Sequence, residues 1–167
     1  MSTRELPDAE ALLAELARQM RPAVSANTAL VGIRTGGAWI AERLHRELAI
    51  AVPLGTLDVS FYRDDYEQRG LHANVKPSEI PFKVEGRDII LVDDVLYTGR
   101  TIRAAMNEMF DYGRPASIRL AALVDRGNRE LPIAAQFVAA TAALAPGESI
   151  ELIRDDNGRL GLTLHRD

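Results

Sequence analysis

The run IILVDDVLYTGRT at positions 89–101 constrains this chain more than any other stretch. Residues 88–92 form a continuous apolar strand, the pattern of a strand buried on both faces in a parallel sheet. It delivers Asp93 and Asp94 side by side to its C-terminal end. The turn Thr98-Gly99-Arg100-Thr101 then opens a helix over 101–110, with Ile102, Met106 and Met109/Phe110 at helical spacing. Ligands of open α/β sheets bind beyond the carboxyl ends of the strands. In such a place Gly99 admits close backbone approach, the hydroxyls of Thr98 and Thr101 donate hydrogen bonds, and the unpaired N–H groups at the helix start favour an anion. Carboxylates are poor phosphate ligands but good acceptors for sugar hydroxyls. The implied ligand is therefore a phosphorylated sugar, with ribose on the carboxylates and phosphate in the turn. Two other acidic sites fit less well: a nucleotide-hydrolysing Walker-type site lacks its G-x-x-x-x-G-K-[ST] partner, and a receiver-type site wants a later Lys, whereas none follows Lys83.

The rest of the chain repeats the strand–loop–helix theme. Leu12, Leu13, Leu16 and Met20 predict a one-sided amphipathic helix between positions 7 and 24. Residues 29–33 predict a strand, 34–37 a glycine turn, and 38–48 a helix with Ile40, Leu44 and Leu48 on one face. Strand character returns at 52–61 and 117–124, with a short strand at 136–138. A closing hairpin at 149–153 and 160–164 turns around Asn157-Gly158. Residues 62–83 mix charge, glycine and proline without a period and read as a long flexible loop. Alternating strands and helices predict an α/β fold with a mainly parallel sheet in one domain spanning 1–167.

Composition narrows the function classes. With 167 residues and 47% hydrophobic side chains the chain can bury a sizeable core. Its 20 basic and 24 acidic residues give a net charge of -4, which argues against a surface that clamps nucleic acid or membrane wholesale. There is no Cys, so no thiolate chemistry or disulfide framework is available. The first twenty residues carry interspersed charges and no apolar core of a signal peptide, and the apolar runs elsewhere are strand-length; the expected location is the cytoplasm, without membrane contact.

The order and types of residues in 89–101 resemble the phosphoribosyl-diphosphate signature of the type I phosphoribosyltransferases. Two further segments fit: Gly32-Ile-Arg-Thr-Gly-Gly37 stands where that family places its diphosphate loop, often with a non-proline cis peptide, and the loop from Tyr62 resembles the family's flexible hood. A narrower resemblance is to the pyrimidine-operon attenuation regulators of the PyrR type, which also act as uracil phosphoribosyltransferases. It rests on FYRDDY (61–66), VDDVLYTGRT (92–101), YGRPASI (112–118) and LVDRGNRELPI (123–133).

The resemblance implies a type I phosphoribosyltransferase fold with a flexible loop at 62–83 and a small hood or base-side region at 125–150. It implies that uracil and phosphoribosyl diphosphate give UMP and diphosphate, with Mg2+ held mainly through the substrate rather than by dedicated protein ligands. Asp93, Asp94 and Arg63 are the implied catalytic residues. Arg34, Thr35, Gly36 and the run Asp93, Asp94, Val95, Leu96, Tyr97, Thr98, Gly99, Arg100, Thr101 would bind phosphoribosyl diphosphate or UMP. Val124, Asp125 and Arg126 would lie beside the uracil, whose edge their backbone groups could read. His45, His72 and His165 are read as structural or solvated, and no general base is assigned. Uracil, UMP, UTP and a pyrimidine leader messenger are the implied partners, in a homodimer or homotetramer.

Regulators of this type meet RNA phosphates through Lys and Arg. This chain has no Lys or Arg between Arg129 and Arg154, and Asn128 stands where the relatives usually have His. Arg18, Arg21 and Arg129 are its candidates for an RNA-binding patch. Three readings remain open at this point: an enzyme that also regulates, a nucleotide sensor with little catalysis, and an enzyme that has lost RNA binding.

Overall fold

The computed structural model describes residues 6–59 and 78–167. The first helix, α1, spans Ala9–Met20 and buries Leu12, Leu13, Leu16 and Met20 on one side, as their spacing predicts. A short 3-10 turn, Arg21–Ala23, follows it. Strand β1 (Thr28–Ile33) is buried at every position, helix α2 covers Gly36–Glu47, and β2 is only Gly55–Leu57. Then come β3 (Asp88–Leu96), helix α3 (Arg100–Tyr112), β4 (Ser117–Asp125), β5 (Phe137–Thr141), β6 (Glu148–Arg154) and β7 (Leu160–Arg166).

The main sheet has five strands in the order β2-β1-β3-β4-β5, and every pairing in it is parallel. From β1 the chain moves outward to β2, and from β3 it moves the other way to β4. Right-handed crossovers in opposite directions place α2 and α3 on opposite faces. Helix α1 shares the face of α2, packing on β4 and β5 while α2 packs on β1 and β3. The direction reverses between β1 and β3, and open parallel sheets bind ligands at such a reversal. Strands β6 and β7 form a separate antiparallel hairpin.

Several boundaries differ from the sequence expectation. Among the described residues of the strand expected over 52–61, the ladder with β1 covers three, Gly55, Thr56 and Leu57; residues 60 and 61 lie outside the described residues. Strand β3 continues through the two aspartates to Leu96, since β4 goes on pairing with it as far as Asp125. The last residues of the loop expected over 62–83 are fixed against β2: Glu79 bridges Thr56, with both N–H···O bonds at 2.8 Å. Residues 60–77, with Arg63, His72 and the FYRDDY run, lie outside the described residues. Past position 150 the chain continues in the hairpin, where β6 is paired along its whole length with β7. No helix among the described residues is long and apolar enough to cross a membrane.

Candidate active site

Three backbone segments converge at the β1/β3 reversal. The Arg34 N–H ties the end of β1 to β2 through Leu57 O (2.9 Å), and the Arg34–Thr35 peptide is cis. Thr35 is the N-cap residue of α2, exposed at the rim. Helix α2 begins so close to β3 that its first two residues must be glycine. A Cβ on Gly36 would run into the Asp94 carboxylate, and one on Gly37 into the Val92 carbonyl. The predicted glycine turn is thus a packing requirement that brings the start of α2 against the acidic pair.

Asp93 is buried and Asp94 half-buried. Each carboxylate accepts the next backbone N–H: Asp94 N donates to Asp93 Oδ1 (2.9 Å) and Val95 N donates to Asp94 Oδ1 (2.8 Å). These bonds fix both side chains at the strand end, leaving Asp94 Oδ2 toward Gly36. Tyr97 follows, and then the Thr98–Gly99 turn. Thr98 is buried; its Oγ1 accepts from Arg100 N (3.2 Å), and its carbonyl accepts from Glu130 N and Leu131 N (2.9 and 3.1 Å). Gly99 caps α3 with φ of 97°, a left-handed conformation costly for a residue with a side chain, and its missing Cβ leaves room for Ile133. Thr101 lies in the first turn of α3, whose leading N–H groups favour an anion.

On the other side of Tyr97 lies a second cluster, which includes the stretch expected beside the base. Arg126 lays its guanidinium over the Tyr97 ring, 3.8 Å from the centroid, and its Nη2 donates to Glu148 O (3.2 Å). A cleft of about 450 Å3 opens here, bordered by Tyr97, Arg126, Asn128 and the 144–149 segment, with Asp167 at its edge. The Glu148 carboxylate is buried and accepts from Ala145 N (2.6 Å) and Arg166 Nε (3.1 Å).

The structure brings together Arg34, Thr35, Gly36, Asp93, Asp94 and the run to Thr101, with Val124, Asp125 and Arg126 on the neighbouring strand end. The Arg126 N–H bonds Leu96 O (3.0 Å) at the end of β3, and Asp125 O accepts from Ala142 N (2.9 Å) just past β5, so these two backbone groups are already paired. Of the three residues, Arg126 borders the cleft. Arg34 donates from Nη2 to Thr56 Oγ1 (3.1 Å), toward β2.

The three basic candidates for RNA do not meet within one chain. Arg18 pairs with Glu15 on α1, and Arg21 with Glu47 at the far end of α2 from the site. Arg129 lies at the site edge, and its guanidinium is consumed by Ile133 O, Tyr97 O and Asp125 Oδ2 (2.8, 2.9 and 2.6 Å). The Arg129 guanidinium holds the Asp125 carboxyl below the usual carboxylate range, with the Gly127 N–H adding to the effect. His45 binds Val52 O (2.8 Å) and His165 pairs with exposed Glu151, both away from the acidic pair. Glu148, Ser149 and Asp167 were missed by the sequence reading; they reach the cleft only because the closing hairpin folds back beside Tyr97.

The phosphoribosyl transferase domain model matches residues 2–143. Among curated proteins, the bifunctional protein PyrR of Pseudomonas syringae is 51% identical over 151 residues, covering 88% of this chain and 89% of the relative. The bifunctional protein PyrR of Nitrosococcus oceani is 57% identical over 130 residues, covering 77% and 73%. Among solved structures, a Bacillus anthracis hypoxanthine-guanine phosphoribosyltransferase superposes with a TM-score of 0.68 at 21% identity, covering 90% of this chain and 88% of that one. The HGPRT-ase of Leishmania tarentolae in complex with GMP gives 0.66 at 21% identity, covering 90% and 85%. These two likenesses carry the fold, and the family match covers the acidic pair, the glycine turn and the Thr98–Thr101 loop alike: the chain belongs to the phosphoribosyltransferase family.

Proposed function

We propose that this chain transfers the phosphoribosyl group to uracil, giving UMP and diphosphate, and regulates pyrimidine biosynthesis genes by uridine-nucleotide-dependent binding to their leader RNA. One observation carries the catalytic half: the start of α2 is packed on Asp94 while the phosphate-type turn at Thr98–Thr101 begins four residues beyond it. The choice of uracil rests on relatives named bifunctional protein PyrR at 51–57% identity.

In this reading the α3 N-terminus and the Thr98 and Thr101 hydroxyls hold the 5′-phosphate, and the Arg34–Thr35 turn holds the diphosphate. Asp93 and Asp94 accept the ribose hydroxyls and favour positive charge as it develops on the ring when the C1′–O bond to diphosphate breaks. Positioning and fixed charge, rather than covalent chemistry, lower the barrier. Mg2+ takes one or two carboxylates, waters and substrate phosphates, so a pair of aspartates fits an ion that arrives with the substrate. When bound, such an ion would supply charge neutralisation for the leaving diphosphate. Asp93 and Asp94 would orient the sugar oxygens that share it. The base enters the cleft between Arg126, Tyr97 and the 144–149 segment, and Arg63, outside the described residues, is the residue proposed to contact diphosphate.

The test is UMP formation from uracil and phosphoribosyl diphosphate with Mg2+, with hypoxanthine, guanine and orotate as competing bases. Uracil-specific turnover supports the reading, and turnover of a purine alone overturns the choice of base. For the regulatory half, retention of a pyrimidine leader transcript is titrated with UMP and UTP, and no nucleotide-dependent retention overturns it.

A further inference from the structure

The base-side hairpin shares no ladder with the main sheet, so its placement depends on its packing and its two ends. The end at Gly147–Glu148 borders the cleft beside Tyr97 and Arg126. The opposite end, roughly 20 Å along the paired strands, sits on α1 and α2. There the Glu10 carboxylate receives Arg43 through both oxygens (2.7 and 3.1 Å), and its Oε2 also accepts the Leu160 N–H (2.9 Å). Arg43 Nη1 reaches Gly158 O at 3.5 Å. The turn it holds is stiff in its own right, since Asp155 Oδ1 accepts from both Asn157 N and Arg159 N (2.9 Å each). Weaker contacts surround the pair: Arg159 to Asp8 at 3.5 Å, Arg154 to Glu42 at 4.0 Å, and Arg154 over the Trp39 ring at 4.6 Å.

Glu10 and Arg43 are mostly buried, and Arg43 keeps the Glu10 carboxyl below its ordinary range. A carboxylate shared by a helix, a second helix and a strand N–H fixes the relative placement of all three. Arg43 also lies two turns along α2 from Gly36, which touches Asp94. The same helix therefore starts at the proposed diphosphate turn and, through Trp39, Glu42 and Arg43 along its length, contacts the hairpin that borders the proposed base cleft.

We propose that Glu10, with Arg43, is a positioning pair that sets the base-side hairpin against the helix leading from the diphosphate turn, and so sets the affinity for the base. This rests on the reading of the cleft as the uracil site. Neither residue touches substrate. Glu10→Gln keeps the size of the side chain and replaces a two-oxygen acceptor of Arg43 by a neutral amide. The uracil KM is expected to rise about five-fold, with kcat and the phosphoribosyl diphosphate KM within about two-fold of wild type, the pattern of lost binding that is equal in ground and transition states. Arg43→Lys, which keeps the charge and loses the fork, should fall between the two. Glu15→Gln, on an exposed pair of the same helix, serves as the control and should leave all three parameters unchanged.

Hydrogen exchange of the intact chain supplies a readout independent of turnover. Glu10→Gln should speed exchange at Leu160 and also at the cleft end, residues 147–149 and 126–128. An unchanged uracil KM, or a uniform loss of kcat and both KM values that follows a lowered melting temperature, overturns the proposal. If wild type fails to turn over uracil, that result falls on the proposed activity, and exchange then decides the latch alone: faster exchange at Leu160 with no change at 126–128 and 147–149 overturns it.

Discussion

The proposed phosphate-and-ribose half of the site and the proposed base-side half are built by different means. In the first, a single run from Asp93 to Thr101 supplies the acidic pair and the turn, and its side chains are fixed by their own neighbours in sequence: Asp93 by Asp94 N, Asp94 by Val95 N, Thr98 by Arg100 N. In the second, Tyr97, Arg126, Asn128, Glu148 and Asp167 meet across four separate segments. They are joined across those segments by a cation–ring stack, side-chain bonds and an ion pair: Arg126 over Tyr97, Arg126 Nη2 to Glu148 O, Arg129 Nη1 to Tyr97 O, and Arg166 to Glu148. A half fixed by local backbone bonds has one geometry as soon as its strand forms. A half fixed by side chains from distant segments can change its ligand preference through single substitutions, because each anchor is separately replaceable.

The largest effect should therefore fall on the locally built half. Asp94→Asn keeps the shape and removes the charge that favours the developing cation, so kcat for UMP formation should drop by about two to three orders of magnitude, with little change in fold by circular dichroism. An Asp94→Asn enzyme within a few-fold of wild type would break the comparison at its root. Next comes Gly36→Ala. The added methyl would meet the Asp94 carboxylate, so the helix start or the carboxylate must shift, costing about 1–3 kcal/mol of stability for an overpacked contact. Activity should fall further than the melting temperature implies, since the displaced atoms belong to the site.

This division also explains what the sequence could disclose. The strand ending in Asp93-Asp94 and the Thr98–Thr101 turn were legible because one periodic segment contains the whole device and its packing partner, Gly36, stands in another short motif. The helix of Leu12, Leu13, Leu16 and Met20 was legible for the same reason: its buried stripe is local. The shortness of β2 was not, because 52–61 has strand composition while, among the described residues, ladder partners on β1 exist only for Gly55–Leu57. Nor could spacing disclose that Glu10 reaches Leu160 N, 150 positions away. Arg129 looked like a surface cation in sequence; it folds inward because Tyr97 O, Ile133 O and Asp125 all lie within reach of one guanidinium.

Arg129→Met tests that inward role. It strips three hydrogen bonds and leaves Asp125 without its cation, so stability should fall by about 2–3 kcal/mol in urea unfolding at neutral pH. The pH dependence follows from the depressed Asp125 carboxyl. Its ionised form is the one the fold favours, so its contribution is complete above the ordinary aspartate range and disappears as the pH falls through the lowered folded value. The gap between wild type and Arg129→Met should accordingly narrow in acid. By contrast the Glu15 carboxyl is lowered to about 2 by Arg18 in an ion pair at the surface, where solvent screens the pair. Glu15→Gln should not move the melting temperature measurably. Equal losses for the two substitutions would show that the base-side ion pairs are surface decoration.

The smallest effect sharpens the base-side half itself. Arg126 over Tyr97 at 3.8 Å is a cation–ring contact at the mouth of the cleft, and such contacts contribute about 0.5–2 kcal/mol. Tyr97→Leu removes the ring face while leaving the Tyr97 carbonyl for Arg129 and the backbone run to Thr98 untouched. It should raise the uracil KM about three- to ten-fold with the phosphoribosyl diphosphate KM unchanged, because the turn that holds phosphate is fixed by Thr98 and Gly99. Arg126→Lys keeps a cation but loses the flat guanidinium, and its effect should be smaller still. Tyr97 is the residue where the two halves join, one in sequence with the acidic pair and one in space with the hairpin. If Tyr97→Leu raised both KM values together, the halves would be energetically one unit, and the contrast between local and assembled construction would hold for the architecture but not for binding.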